Sequence, residues 1–444
     1  MYQWLILGIT VITLLVLMIK KPIWLIPLLG IAVALEISTT WYPDLGIVGK
    51  MLGMVSLTRF TSLALILAAF FRLFLSWEMR RKLGAIIKDP LTIILVIYLV
   101  LGAASVVYSA DPGKTVAEAM RLLVLFAVFI SIALLIDKER SLLPFQAVHV
   151  TALLLAPLTF YEGFSGNLIW QADHLLKEHT LRVNATFVDP NIFARFIILG
   201  IVANFILQLY TRDKSTKLAY MACLAILLAQ LVLTSSRGGM LTLLAILIVA
   251  LIFLPNRKAV LWVLGLGALC GAIVLFIRPD IWERMLSLTQ GFAVSNPQRL
   301  YLWQAALAIF KDNPILGTGL GSFQTVFLND YIALKNVPDG ATLSHTTVLT
   351  IAAELGVVGL TVLAALWVVL LSKLFKFYSQ NSGYLSIFND YNNKYYVGAG
   401  YLLWILTVFI SSQGEGRFFE DPILWLSCAL LVILGFNREY NIKV

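Results

Sequence analysis

The sequence predicts an all-α polytopic membrane protein, on three observations. Of 444 residues, 60% are hydrophobic and only 13% charged, too few to cover a soluble surface of that size. Apolar runs recur at roughly the 17–25 residues that a bilayer core asks of a spanning helix. Between them, Lys and Arg gather in short clusters in alternate connections. No connection is long enough to fold by itself, so residues 1–444 read as a single integral membrane domain. Its spans should number about 12–14.

Taken in order, the apolar runs lie near 4–19, 22–37, 59–76, 91–108, 121–136, 142–162, 191–210, 218–235, 239–254, 259–277, 346–372, 396–411 and 421–436. The first reads as a retained span, because Met1-Tyr2-Gln3-Trp4 has no basic region and no small-residue cleavage site follows. Asp189 before Pro190 reads as a helix start, with proline at the first helical position. The basic clusters include Lys20-Lys21, Arg80-Arg81-Lys82, Lys138–Arg140, Arg212–Lys217, Arg257-Lys258 and Lys373–Lys376. The positive-inside rule makes that side cytoplasmic. It places the N-terminus outside, the C-terminus in the cytoplasm, and the long polar stretch 278–345 outside as one large extracytoplasmic loop. The net charge of +9 follows from the same rule, so no nucleic-acid partner is expected. Cys223, Cys270 and Cys428 sit inside apolar runs and read as packing residues. No ligand spacing for a metal and no cofactor motif is evident.

Charged and polar residues near a bilayer are costly, so their positions carry information. Arg237, in Thr234-Ser235-Ser236-Arg237-Gly238-Gly239, occupies a sharp break between two spans. A guanidinium there can fork onto phosphate oxygens; equally, it can snorkel to lipid headgroups. Arg299 falls on an amphipathic helix, roughly 298–311, whose Leu302, Ala305, Ala306 and Ile309 recur at helical spacing, which predicts a helix lying on the membrane surface. A second arginine near the headgroups suits a lipid-linked diphosphate. His345 stands at the start of a long span, where the positive helix end favours a neutral imidazole able to take a proton from a hydroxyl. Its alternative role is to cap that helix with Ser344. Asn191 and Arg195, one turn apart, are candidates for lining an acceptor site, as are Arg121 and Glu354. His149 reads as a packed core residue, and His174 and His179 as loop residues. Gly317, Gly319 and Gly321 make a flexible, tight turn with no P-loop lysine.

In this order, Tyr108-Ser109-Ala110-Asp111-Pro112, Thr186-Phe187-Val188-Asp189-Pro190-Asn191, Ser235-Ser236-Arg237-Gly238-Gly239, Arg299 ahead of Asn313-Pro314-Ile315-Leu316-Gly317-Thr318-Gly319, and His345 followed by Glu354-Leu355-Gly356-Val357-Val358-Gly359 resemble the O-antigen ligase and O-antigen polymerase superfamily of membrane glycosyltransferases. The resemblance covers roughly residues 100–360. It implies a GT-C-type, metal-independent, inverting glycosyltransferase of a bacterial cytoplasmic membrane, with its active site on the outer face. The implied donor is an undecaprenyl-diphosphate-linked glycan and the acceptor a lipid or glycan hydroxyl. The family's two arginines and histidine fall on Arg237, Arg299 and His345. Where family members often carry Asn after the histidine, Thr346 stands here. A ligase, a polymerase and a protein O-oligosaccharyltransferase all fit these residues. A small-anion transporter fits less well, because the polar residues lie in an outer loop and not at mid-membrane.

Overall fold

In the computed structural model, the described residues are 2–46, 55–170, 182–211, 213–253, 257–286, 297–331, 344–381, 393–416 and 418–436. Among them the regular structure is entirely helical. The helices are α1 (Tyr2–Lys20), α2 (Leu25–Val33), α3 (Leu57–Leu75), α4 (Trp77–Ile87), α5 (Pro90–Ala104), α6 (Pro112–Leu135), α7 (Leu143–Leu154), α8 (Ala156–Ser165) and α9 (Pro190–Tyr210). They continue as α10 (Lys214–Leu233), α11 (Arg237–Phe253), α12 (Arg257–Ile277), α13 (Pro279–Leu286), α14 (Pro297–Asp312), α15 (Phe323–Val326), α16 (Thr347–Asn381), α17 (Asn393–Glu415) and α18 (Pro422–Gly435). Ten apolar helical stretches among the described residues are long enough to cross a membrane; three more, Pro22–Val33, Arg237–Phe253 and Pro422–Gly435, are apolar but shorter. Each falls on an expected apolar run. His174 and His179 lie outside the described residues.

Local sequence sets the boundaries. Asp89, Asp111, Asp189 and Asp421 each precede a proline and start a helix by accepting from a backbone N–H within its first turn. The aspartate satisfies an orphan donor, and proline fills the position whose N–H would be unpaired anyway. Inside the bundle α9 is the most enclosed span and α1 the least. The indole N–H of Trp404 on α17 donates to the Leu199 carbonyl of α9 at 2.9 Å. As expected, His149 is a buried core residue, its Nε2 3.0 Å from the Asn204 amide.

The bundle has two chemically distinct ends. At one, Lys82 donates to the Leu134 and Ile136 carbonyls, each at 2.8 Å, and Lys373 pairs with Asp89 at 2.6 Å. Here the basic clusters gather. The opposite end collects the starts of α6, α9, α11, α16 and α18 and the ends of α5, α8, α10 and α17. Arg195 meets Asp421 there, Arg121 meets Glu420, and Ala110 meets Thr318.

One expectation is corrected at this end. The apolar stripe of α14 does not lie open for the membrane surface. Leu302, Ala305, Ala306 and Ile309 are buried, forming a small second core with Phe323, Val326, Phe327 and Ala353. The stripe signals that the helix buries a face, and a protein partner satisfies it as well as lipid does.

Candidate functional site

The turn Asn313–Ser322 locks onto a break in α16. At Gly356 the helix adopts φ +61° and its hydrogen-bond ladder is interrupted. The carbonyls this frees are taken up by the turn: Thr318 N–H donates to Ala353 at 3.0 Å and Gly319 N–H to Glu354 at 2.8 Å. In return Val357 and Val358 donate to the carbonyls of Pro314 and Ile315 at 2.8 and 3.3 Å. A Cβ on Gly317 would overlap the Glu354 carbonyl, and one on Gly356 the Ile315 carbonyl. Both have φ in the left-handed region, so glycine is required twice over. The glycines therefore form a backbone clamp. The start of α6 joins it, with Ala110 N–H donating to Thr318 at 2.9 Å and the Thr115 hydroxyl to Leu320 at 2.7 Å.

Glu354 belongs to this clamp. Its carboxylate is buried and accepts from the Phe323 N–H at 3.2 Å. In doing so it satisfies a donor at the start of α15.

The arginine and histidine residues occupy the neighbouring helix ends. α14 is held by its core against α16, which fixes Arg299 in its first turn. The guanidinium lies over Gly414, where a Cβ would come within 3.6 Å of Nη1. The residues flanking His345 reach the same turn. Thr346 donates its hydroxyl to the Gln413 carbonyl at 3.3 Å, and Thr347 to the Ser412 carbonyl at 3.4 Å. Arg299 and the start of α16 therefore meet around residues 412–414, although more than 40 residues of chain separate them.

Ser344 serves the start of α16. The Ser344 hydroxyl accepts from Thr346 N–H at 3.2 Å and lies 2.8 Å from the Thr350 hydroxyl. His345 itself has φ +55°. Among the described residues only Ala185, Ser235 and His345 are non-glycine residues with positive φ. Such backbone costs on the order of 1–3 kcal/mol per residue and persists where surrounding contacts over-determine it. All three lie in or beside the motifs picked out from the sequence.

Of the other two strained positions, Ser235 lies beside Arg237 and Ala185 in the segment that leads into α9. Ser235 turns the chain between α10 and α11, and the Ser236 hydroxyl accepts from Gly239 N–H at 3.1 Å while donating to Asn191 Oδ1 at 2.8 Å. The same Asn191 oxygen accepts from Arg182 at 2.7 Å. Asn191 thus ties the start of α9 to the start of α11 and orients the turn that carries Arg237. The segment ahead of it is pinned by carboxylates: buried Glu162 accepts from Ala185 N–H at 2.9 Å, and Glu36 from Val188 N–H at 2.8 Å. Arg195, one turn along α9, forms a buried ion pair with Asp421 at 3.1 Å, which joins α9 to the segment leading into α18. Contacts therefore run from Arg237 through Asn191, α9 and Asp421 to the end of α17, where Arg299 and His345 lie.

A cleft of about 300 Å³ opens beside them, with Thr347, Thr350 and Gly416 in its wall. Arg121 lines it, held between Glu118 at 3.1 Å and Glu420 at 3.0 Å. Glu118, Glu420 and Gln413 escaped the sequence reading. Their signal was a carboxylate or amide at the end of an apolar run, where each is costly without a partner. Among the described residues, no group of three or more His, Cys, Asp or Glu side chains is placed to hold a metal.

Residues 222–364 match the Wzy_C family model, described as O-antigen ligase. A domain matching that family model is thus found over part of the chain. It contains Arg237, Arg299 and His345 and agrees with the superfamily that the motifs resemble. No curated protein matches the chain.

Proposed function

We propose that this protein is an inverting glycosyltransferase that moves a glycan from undecaprenyl diphosphate to an acceptor hydroxyl, in the manner of an O-antigen ligase. The observation that carries the proposal is the convergence of Arg299 and the start of α16 on the turn 412–414. The end of the bundle holding them faces away from the basic clusters, so the positive-inside rule supports an outer-face site.

In the reaction, the acceptor oxygen attacks the anomeric carbon from the face opposite the diphosphate. The C–O bond to phosphate breaks, and its electron pair leaves with undecaprenyl diphosphate. His345 takes the proton of the attacking hydroxyl. Arg237 and Arg299 meet the charge that develops on the leaving group, where fixed donors act most strongly. A diphosphate is already a weak base, so electrostatics can replace a general acid, and two bidentate guanidinium groups can neutralise it without metal. Asn191 and Arg195 act as positioning residues, one for the Arg237 turn and one for the α9–α18 contact.

The test is transfer by the purified protein in detergent with a chelator present. The donor is undecaprenyl-diphosphate glycan, offered with lipid, glycan and peptide acceptors. Transfer by the wild type that is lost in His345→Ala is the expected result. The acceptor used then separates ligase from polymerase and from protein glycosylation. Full transfer by His345→Ala removes the histidine from the mechanism, and absence of transfer to every acceptor removes the proposal.

A further inference from the structure

We infer that the cleft bounded by Lys114, Glu118, Arg121, Gln324, Thr350 and Glu420 is the subsite for the acceptor's terminal sugar, taking an uncharged, hydroxyl-rich ring. This rests on the function proposed above and adds to it where the acceptor sits and what chemical class it belongs to.

Size, charge and position point the same way. At about 300 Å³ the space is at the small end of small-molecule sites, which begin near roughly 300 Å³. It suits a single ring. Glu118 and Glu420 balance the two cations Lys114 and Arg121 there, and Glu354 adds a buried carboxyl. No net positive charge is left to draw a diphosphate, so the donor's charged group belongs with Arg237 and Arg299. A sugar ring presents hydroxyls that both donate and accept, and the wall offers both kinds of partner in alternation. Glu118 and Glu420 both accept from Nη1 of Arg121, whose side chain stays 46% exposed while it is held. Lys114 donates to Gln324 at 3.1 Å and to Thr325 at 2.9 Å, and is 42% exposed.

Under these groups the wall is aromatic and closely packed, with Tyr98, Phe418 and Phe419 all buried. Tyr98 and Phe419 stack with ring centroids 3.7 Å apart, and Phe418 meets Phe419 edge-on at 5.0 Å. This packing gives the polar groups above it a firm base, and a few placed polar groups are what fixes a small ligand's orientation. The wall includes Thr347, two residues from His345, so a ring in the cleft lies beside the group proposed to take its proton. Asn191 and Arg195 are committed to other partners, which puts acceptor recognition on the α6 side of the site, away from α9.

The donor's own first sugar has the same chemistry, and the experiment separates the two. Saturation-transfer NMR on the purified full-length protein would use methyl glycosides of glucose, galactose, mannose and N-acetylglucosamine as probes. Binding of at least one by the wild type, weakened about tenfold or more in Glu118→Gln and Glu420→Gln as a charged hydrogen bond is lost, is the expected result. Gln324→Ala, at the rim, gives a second reading should either carboxamide variant unfold. Undecaprenyl-diphosphate glycan should leave the probe bound. Displacement by that donor overturns the acceptor assignment, and equal binding by all variants, or binding of none by the wild type, overturns the subsite. If glycosides bind but no acceptor receives glycan, the proposed function fails while the sugar-binding cleft stands.

Discussion

Around Gly317 and Gly356 the backbone makes the contacts; around Arg299 and His345 the side chains do. Both regions occupy one end of the bundle, and both stood out in the sequence as polar motifs. The clamp is a set of reciprocal N–H to carbonyl bonds between a turn and a broken helix, with no space for a Cβ at its centre. The neighbouring region is a set of helix ends that present charge, with left-handed backbone at Ser235 and His345. The difference separates a motif that makes the fold from one to which the proposed function assigns the chemistry. In the first, glycine is needed because atoms meet; in the second, non-glycine residues are held at positive φ by the contacts around them.

The largest effect expected from breaking this comparison is Gly356→Ala. The added methyl would overlap the Ile315 carbonyl, and the protein should not be recovered as a monodisperse folded species on size exclusion in detergent. A folded Gly356→Ala protein lacking only activity would move the clamp into the chemistry. Next comes Arg195→Ala, which strands Asp421 in a buried position. Breaking such a pair costs about 3–5 kcal/mol, to be read as a lowered thermal unfolding midpoint. Arg299→Lys sharpens the other side: it keeps the charge but loses the fork, so transfer should fall by about 10²–10³ with the unfolding midpoint unchanged.

The smallest effect belongs to Asp111, which caps α6 and accepts from the Thr325 hydroxyl at 2.7 Å. That hydrogen bond, followed by the one from Lys114 N–H, holds its carboxyl below the ordinary 3.8. A carboxylate depressed in the folded state contributes fully above its unfolded value and is lost as pH falls through the folded one. The unfolding midpoint should therefore drop below about pH 3.8, and that acid-side drop should be smaller in Asp111→Asn.

The spans were legible because hydrophobic length and Asp-Pro starts are local signals. Every helix long enough to cross lay on an apolar run, and Asp189 capped its helix as its sequence required. What lay hidden was the partner of each polar or apolar face. The stripe on α14 announced burial without saying whether lipid or protein would cover it. Glu354 read as a residue for an acceptor, and nothing local showed that it would also accept from the Phe323 N–H, 31 residues upstream. The glycines of the 313–322 turn suggested flexibility, because nothing local shows that their carbonyl partners come from a break in a helix. Gly414 carried no motif at all, since its importance comes from the Arg299 guanidinium that α14 brings over it.

The division of labour at the helix ends is the central claim, and separating donor binding from turnover tests it most directly. Binding of undecaprenyl-diphosphate glycan would be measured on wild type, Arg237→Ala, Arg299→Ala and His345→Ala, alongside transfer by each. The account predicts weakened donor binding in both arginine variants, and in His345→Ala unchanged binding with transfer lost. Unchanged donor binding in the arginine variants, or loss of binding in His345→Ala, would contradict it.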